Sequence, residues 1–221
     1  MSPELVRLIL EATLDTLWMV AVSSGIGMAL GIPLGVFLAT SARGELFAAP
    51  ALNRVLGLVV NATRSTPFII LVVAIIPFTR LIAGTSIGTG AAIVPLTVAA
   101  TPFIARLVET AIREVDPGLV EAARAVGARP IQIVTKVLLP EATPSIVLSM
   151  TLALVSLIGY SAMVGAVGGG GLGDLGIRYG YQRFMPDVMA VVVLMLIAFV
   201  QAVQSAGDLL ARRVNKRVRH A

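Results

Sequence analysis

Residues 146–167 read IVLSMTLALVSLIGYSAMVGAV, a stretch without a single charged side chain. An α-helix needs about 20 consecutive apolar residues to cross the hydrocarbon core of a bilayer, and it satisfies its own backbone hydrogen bonds there. The stretch therefore predicts a transmembrane helix. Four further apolar runs of comparable length occupy residues 14–39, 55–81, 91–108 and 188–210. We predict an all-α membrane protein with five transmembrane helices, numbered as spans one to five in chain order.

The composition of the whole chain agrees with a membrane protein. Hydrophobic residues make up 57% of the 221 residues and charged residues 13%, whereas a soluble domain has about 25% charged residues. The mean hydropathy is +0.94. The chain has no cysteine, and its single histidine, His220, lies next to the C-terminus. These counts exclude disulfides, a cysteine nucleophile, a zinc cluster and a Ser-His-Asp triad on this chain, so we expect no cofactor, no metal and no enzymatic activity.

The distribution of Arg and Lys predicts the orientation of the chain in the membrane. With five spans, the first and third connections lie on the side of the C-terminus, and this side carries twelve basic residues: Arg43, Arg54, Arg106, Arg113, Arg124, Arg129, Lys136, Arg212, Arg213, Lys216, Arg217 and Arg219. The other side carries four, Arg7, Arg80, Arg178 and Arg183, and Arg64 lies inside or at the edge of span two. Cytoplasmic segments have an excess of Lys and Arg. We therefore expect the N-terminus outside and the C-terminus in the cytoplasm, and we interpret the net charge of +5 as an orientation signal rather than as a nucleic-acid site.

Small residues and prolines interrupt the apolar runs. Gly27, Gly31 and Gly35 form a stripe on span one that lets another helix approach closely, either within one subunit or between subunits. Pro95 and Pro102 in span three remove backbone donors and favour kinks. Broken helices are tolerated in a membrane where they are buried or line a cavity. This pattern favours a transporter or a channel over a simple anchor.

The connection between spans three and four, residues 113–140, carries the most specific local pattern. Asp116 followed by a proline is typical of a helix N-terminus, and Gly127 is typical of a helix end with positive φ. Between them, apolar side chains recur with the spacing of one helix face: Leu119, Ala122, Ala123 and Val126. A second short helix is expected to begin at Pro130 and to end by Pro140. The apolar stripe packs either on the chain's own membrane domain or on a partner.

This connection resembles the EAA signature of the permease subunits of ABC importers. The matching residues are Glu121, Ala122, Ala123, Gly127, Leu139 and Pro140. The one departure is Val137, where the family usually has isoleucine. The resemblance implies that these residues form a coupling helix and its surroundings, which dock on a separate ABC ATPase subunit. It also implies an ABC-importer transmembrane domain over residues 11–207, which includes the coupling loop 113–140, and a basic cytoplasmic tail over residues 208–221.

Three further segments, residues 63–80, 84–88 and 168–181, resemble the permeases of bacterial methionine importers. The resemblance implies an ATP-driven importer of an amino acid, methionine, embedded in the lipid of the bacterial cytoplasmic (inner) membrane. The implied partners are two copies of an ABC ATPase and a periplasmic or lipid-anchored methionine-binding protein. Because five spans are few to enclose a path for a zwitterion, we also expect a homodimer with a central two-fold axis.

Polar or adaptable side chains within the spans are candidates for the translocation pathway. Tyr160 and Met163 lie in span four and Ser205 lies in span five. The alternative is that these residues only pack helices together. The glycine-rich segment 168–176 follows span four and lacks the lysine of a P-loop. We therefore expect it to be an external loop, which either forms part of the external mouth or connects spans four and five, and not a nucleotide site.

Two other functions stay open at this point. One is a permease for another small amino acid or a related compound. The other is a small self-contained channel or secondary transporter. Secondary transporters commonly show internal repeats and ionisable groups near the membrane midplane, and neither is evident in this sequence.

Overall fold

The computed structural model describes residues 3–214, and these residues fold into helices without any β-strand. Two π-helical turns, Val134–Leu138 and Gly176–Tyr181, interrupt the α-helices. The α-helices in chain order are α1 Pro3–Thr40, α2 Pro50–Ser65, α3 Phe68–Ala74, α4 Ile76–Ala83, α5 Thr89–Arg113, α6 Pro117–Ala125, α7 Pro130–Ile133, α8 Leu139–Gly165, α9 Gly171–Leu175 and α10 Pro186–Val214. The end of the predicted basic tail, with Lys216, Arg217, Arg219 and His220, lies outside the described residues.

Four stretches of helix are long and apolar enough to cross a membrane, and a bent pair of helices raises the possible number to five. The four are α1, α5, α10 and the continuous segment Pro130–Gly165. The bent pair is α2 with α3, whose axes differ by 106°. The prediction of an all-α membrane protein is confirmed, with four to five candidate spans.

The second predicted span, residues 55–81, is wrong as a single helix, because the structure divides it into α2, α3 and α4. The first break falls at Thr66 and Pro67, whose ψ angles are 124° and 131°. Proline disfavours helical geometry in the residue before it, so the chain turns there. The second break falls at Ile75, and Pro77 lies in the first turn of α4, which follows.

The fourth predicted span is longer than expected, and the short helix that was expected to end by Pro140 does not end there. The helix that begins at Pro130 continues through the π-helical turn Val134–Leu138 into α8. In a regular α-helix, Pro140 would leave the Lys136 carbonyl without its donor and press its ring against that carbonyl. The π turn changes the hydrogen-bond register ahead of the proline, and the Leu139 N–H donates to the Val134 carbonyl five residues back. The helix therefore continues past Pro140.

Helices α1 and α5 form the most extensive helix–helix contact of the described residues, through the glycine stripe of α1. A Cβ atom on Gly31 would lie 2.8 Å from the carbonyl oxygen of Thr101 and 2.9 Å from the Cβ of Ile104. A Cβ on Gly27 would lie 2.9 Å from the Cβ of Ala100. Of the two alternatives left open by the sequence, the stripe takes the first, because it packs two helices of the same subunit.

Replacing Gly31 with alanine is expected to destabilise the fold. The added methyl group must push α1 away from α5, and such overpacking costs about 1–3 kcal/mol. The matched control is Gly25→Ala on the same helix, where nothing lies within 4 Å of the new Cβ and the loss of glycine should stabilise the helix by about 0.5–1 kcal/mol. The measurement is the temperature at which half of the detergent-solubilised protein stays monodisperse. Equal midpoints for the two variants would contradict this packing.

The glycine-rich segment connects α8 with α10, as one form of the prediction has it, but it is not the open loop that was expected. Gly168, Gly170 and Gly171 have positive φ angles and turn the chain back so that α9 packs against α1 and α8. All residues of α9 are buried. The backbone N–H of Leu172 donates to the hydroxyl oxygen of Thr16 on α1, with an N–O distance of 2.8 Å. The segment therefore contains a short buried helix that packs against α1 and α8.

Candidate functional site

Helix α6 forms where the sequence predicts it, because both of its ends are set by local residues. At its start, the Asp116 side chain accepts a hydrogen bond from the Gly118 N–H at 2.8 Å. At its end, Gly127 has a φ of 78°, and the Ala128 N–H donates to the Ala123 carbonyl at 3.0 Å. This is the hydrogen bond that closes a helix through a left-handed glycine. The predictions of the N-cap and of a positive φ at Gly127 are confirmed.

The two faces of α6 differ in their surroundings. Val120 and Ala123 are half-buried and pack against the core of the membrane domain. Leu119, Ala122 and Val126 are exposed, and Val126 is 84% exposed. The predicted apolar stripe is therefore divided: Ala123 holds the helix on its own domain, whereas the other three side chains form an apolar surface that is open to a partner. We call Leu119, Ala122 and Val126 the exposed stripe.

Charged residues surround α6 on the side of the α1–α2 connection. Glu121 and Arg124 line a cavity of about 430 Å³, which is bounded on the other side by Thr40 to Leu46 and by Arg113 at the end of α5. The end of α5 is itself fixed by a buried carboxylate, since Glu109 pairs with Arg106 at 2.7 Å and with Arg113 at 3.0 Å. Helix α6 thus projects from a rigid helix end.

The remaining predicted coupling residues lie on a different helix. Leu139 is half-buried against the core and Pro140 is exposed, and both stand at the beginning of α8, directly after the π turn. The structure brings Glu121, Ala122 and Ala123 together with Gly127 on α6 and its turn. Leu139 and Pro140 are not part of that group, although the neighbouring Leu138 lines the same cavity as Glu121.

The predicted pathway residues are not brought together in the single chain. Tyr160 is half-buried, and its ring stacks on the ring of Phe68 with 4.4 Å between centroids and 11° between planes. Met163, 48% exposed, lies one turn further along α8, and Ser205 is exposed on α10. Only Tyr160 of the three lines the cavity at the α2–α3 break. Arg64 lines the same cavity, and the mostly polar residues 61–66 within the apolar run 55–81 are the sequence signal for this site.

A family model described as "Binding-protein-dependent transport system inner membrane component" matches residues 31–220 of this chain. The chain belongs to this family. The resemblance to ABC-importer permeases is therefore confirmed, and a self-contained channel or secondary transporter is excluded. As a family member, the chain is a permease subunit of the inner membrane and not an enzyme. In the part of the chain that the structure describes, no group of three His, Cys, Asp or Glu side chains could hold a metal ion.

Individual members of the binding-protein-dependent family are similar to this chain over nearly its whole length. A probable D-methionine transport system permease protein of Vibrio cholerae is 60% identical over 210 residues, which are 95% of this chain and 93% of the relative. Its counterpart in Pasteurella multocida is 46% identical over 217 residues, 98% and 100% of the two chains. A solved structure of a methionine ABC transporter in an inward-facing conformation contains a chain that is 50% identical, with a TM-score of 0.94 over 98% of this chain and 100% of that one.

Proposed function

We propose that this chain is the membrane permease subunit of an ATP-driven importer that carries methionine across the bacterial inner membrane. The observation that carries the proposal is the 60% identity, over 95% of the chain, to a relative named as a probable D-methionine permease. The 50% identity to a chain of a methionine ABC transporter, with a TM-score of 0.94, supports it.

The second part of the proposal is that α6 is the coupling helix. The exposed stripe of Leu119, Ala122 and Val126 docks on the ABC ATPase, and Glu121 adds charge complementarity at the edge of the contact. Ala123 and Gly127 fix the helix to the membrane domain. The geometry supports this role, because an apolar helix face left open at the end of two membrane-length helices suits a protein partner.

Motion of the ATPase would then reach the membrane through two helices. Helix α6 follows α5 after three residues, and the segment Pro130–Gly165, which includes Leu139 and Pro140, begins shortly after Gly127. A continuous helix moves as a rigid body when its end is displaced. The coupling loop 113–140 would therefore act on both helices at once.

The orientation and the domain limits belong to the same proposal. The N-terminus lies outside, the C-terminus lies in the cytoplasm, the transmembrane domain covers residues 11–207 and the basic tail covers residues 208–221. The support is the excess of Arg and Lys, twelve against four, on the side that carries α6 and the end of α10. This orientation places the exposed stripe in the cytoplasm, where an ATPase operates.

The proposed assembly contains two copies of this chain, two copies of the ATPase and one methionine-binding protein on the external side. Four unbroken membrane-length helices per copy are few to enclose a path, and a two-fold axis between copies supplies the missing walls. Tyr160, Met163 and Ser205 remain predictions for the pathway. The exposure of Met163 and Ser205 in one copy leaves them free to face such a path.

Reconstitution tests the proposed function. The chain is co-expressed with its ATPase, purified as a complex and placed in liposomes with ATP inside and the binding protein outside. We expect ATP-dependent uptake of methionine that becomes weak at micromolar substrate without the binding protein, and a complex mass that requires two copies of each subunit. Uptake without any ATPase would contradict the ATP-driven mechanism. Uptake of a different amino acid but not methionine would contradict the proposed substrate. A stable complex with one copy of this chain would contradict the two-copy assembly.

A further inference from the structure

The break between α2 and α3 forms a small cavity with an unusual set of side chains. Its volume is about 130 Å³, below the ~300–1,000 Å³ of sites for drug-sized ligands, so it suits a group no larger than an amino acid. The lining side chains used in the following argument come from α2, the break, α3, α5 and α8: Thr63, Arg64, Thr66, Phe68, Phe103 and Tyr160.

Arg64 is the charged group of this cavity. It stands in the last turn of α2, inside the bent pair that is apolar enough to form a broken span. Among the residues that the structure describes, its guanidinium forms neither an ion pair nor a hydrogen bond. Arg64 is exposed in the single chain, and a charge within a membrane span is costly and normally faces water or a partner of opposite charge. A guanidinium presents a fork of N–H donors that matches a carboxylate in a bidentate pair.

The two threonines offer oxygen acceptors to the same cavity. The Thr63 hydroxyl donates its proton to the Val59 carbonyl at 3.0 Å, and the Thr66 hydroxyl donates to the Ala62 carbonyl at 3.1 Å. Since each hydroxyl has two lone pairs and a single proton, the oxygen atoms that remain available in the cavity can only accept. If the Arg64 guanidinium binds the carboxylate of an amino acid, these neighbouring hydroxyl oxygens can accept hydrogen bonds from its ammonium group.

The remaining wall is aromatic and apolar. Phe68 and Tyr160 are stacked with 4.4 Å between their centroids, and Phe103 lies on the facing helix α5. Sulfur in a thioether makes favourable contacts with aromatic rings. This wall therefore suits an unbranched apolar side chain such as that of methionine.

We propose that the cavity at the α2–α3 break is a substrate site for an amino-acid zwitterion with an apolar side chain. Arg64 binds the carboxylate, Thr63 and Thr66 accept hydrogen bonds from the ammonium group, and the rings of Phe68, Phe103 and Tyr160 contact the side chain. The assignment of methionine as the occupant rests on the proposed function. Because Tyr160 belongs to the helix that begins just after α6, the same rings would move with the coupling loop.

The test uses a single cysteine as a reporter, which is possible because the chain has none of its own. Ala99→Cys places a thiol on the cavity wall, with Leu71→Cys as a second reporter if the first variant does not fold. Thr85→Cys, on the exposed connection between α4 and α5, is the control position. The permease–ATPase complex in liposomes is treated with a small thiosulfonate reagent, and modification of this chain is followed by its intact mass in the presence of methionine or of methioninamide, which lacks the carboxylate.

We expect millimolar methionine to slow the modification of Ala99→Cys several-fold, methioninamide to have little effect, and neither to protect Thr85→Cys. In the Arg64→Gln background, about tenfold to a hundredfold more methionine should be needed for the same protection, because a charge-assisted hydrogen bond is lost. With Arg64→Lys, the methionine concentration needed for protection should lie between that of Arg64→Gln and that of the unchanged Arg64. Arg80→Gln, which removes an exposed arginine that donates to the Ser86 hydroxyl at 3.2 Å, should leave protection unchanged.

Equal protection by methionine and methioninamide, or protection that is unaffected by Arg64→Gln, would overturn the assignment of Arg64. Absence of protection at both reporter positions, in a complex that still takes up methionine, would overturn the site and leave the proposed function standing. A wild-type complex that takes up another amino acid but not methionine would overturn the proposed function and, with it, methionine as the occupant.

Discussion

Val126→Asp is expected to detach the ATPase from the complex and to reduce ATP-dependent methionine uptake by at least about tenfold. Val126 is 84% exposed in the isolated chain and would be covered by the ATPase if α6 is the coupling helix. An unpaired carboxylate in such a contact loses its hydration, which costs at least a few kcal/mol, and interface positions of this kind cost about 2 kcal/mol or more when disrupted. The measurement is the amount of ATPase that co-purifies with the permease.

The matched control for this variant is Phe184→Asp. Phe184 is 86% exposed, about as much as Val126, and it lies in the turn before α10, on the opposite side of the membrane in the proposed orientation. Its φ of 53° is a conformation that aspartate tolerates well. We expect full retention of the ATPase in this variant. Normal retention and normal uptake in Val126→Asp would remove the exposed stripe from the coupling mechanism.

Helix α6 could be predicted from the sequence because each of its determinants is local. The carboxylate of Asp116 and the N–H that it caps are two residues apart, and Gly127 needs no distant contact to adopt a positive φ. The division of the apolar stripe could not be predicted in the same way. Whether Ala123 or Val126 meets the core depends on the angle at which α6 leaves α5, and that angle is a tertiary property.

The proline positions show where hydropathy is insufficient. Residues 55–81 contain enough apolar residues for a span, but hydropathy does not show whether a helix continues in one direction. At Thr66 and Pro67 the chain turns, and the axes of α2 and α3 differ by 106°. At Pro140 the sequence predicts a helix end, but the helix continues. A proline normally ends the hydrogen-bond ladder, and here a π turn accommodates it.

The cavity around Arg64 depends on contacts between residues far apart in the chain. Thr63 to Phe68 adjoin one another, whereas Phe103 and Tyr160 come from two other helices. The sequence marked Tyr160 as a pathway candidate and Arg64 as an isolated charge in span two. Only the packing of α3 against α8, through the stacked rings of Phe68 and Tyr160, shows that Tyr160 and Arg64 line the same cavity.

The glycine-rich segment leads to the second large expected effect: Gly173→Ala should prevent α9 from packing between the long helices. A Cβ atom on Gly173 would overlap the backbone of Ala162 on α8, and a Cβ on Gly165 would overlap the backbone of Asp174. The two helices thus meet backbone to backbone, and neither can rotate a side chain away. Helix packing inside a membrane depends on such close van der Waals contact. We expect a loss of stability at or beyond the ~3 kcal/mol upper end of ordinary overpacking.

The control for this substitution is Gly159→Ala, which adds the same methyl group to α8 one turn away from Ala162, at a position with nothing within 4 Å. Gly159→Ala should keep or raise the thermal midpoint of the detergent-solubilised protein, because alanine favours a helix over glycine by about 0.5–1 kcal/mol. Gly173→Ala should lower that midpoint and abolish most uptake, since displacement of α9 also breaks the hydrogen bond from the Leu172 N–H to Thr16. Because both variants make the same chemical change in neighbouring helices, a difference between them reports the α8–α9 contact itself. Identical midpoints and identical uptake would mean that α9 is free to move away from α8, as an external loop would be.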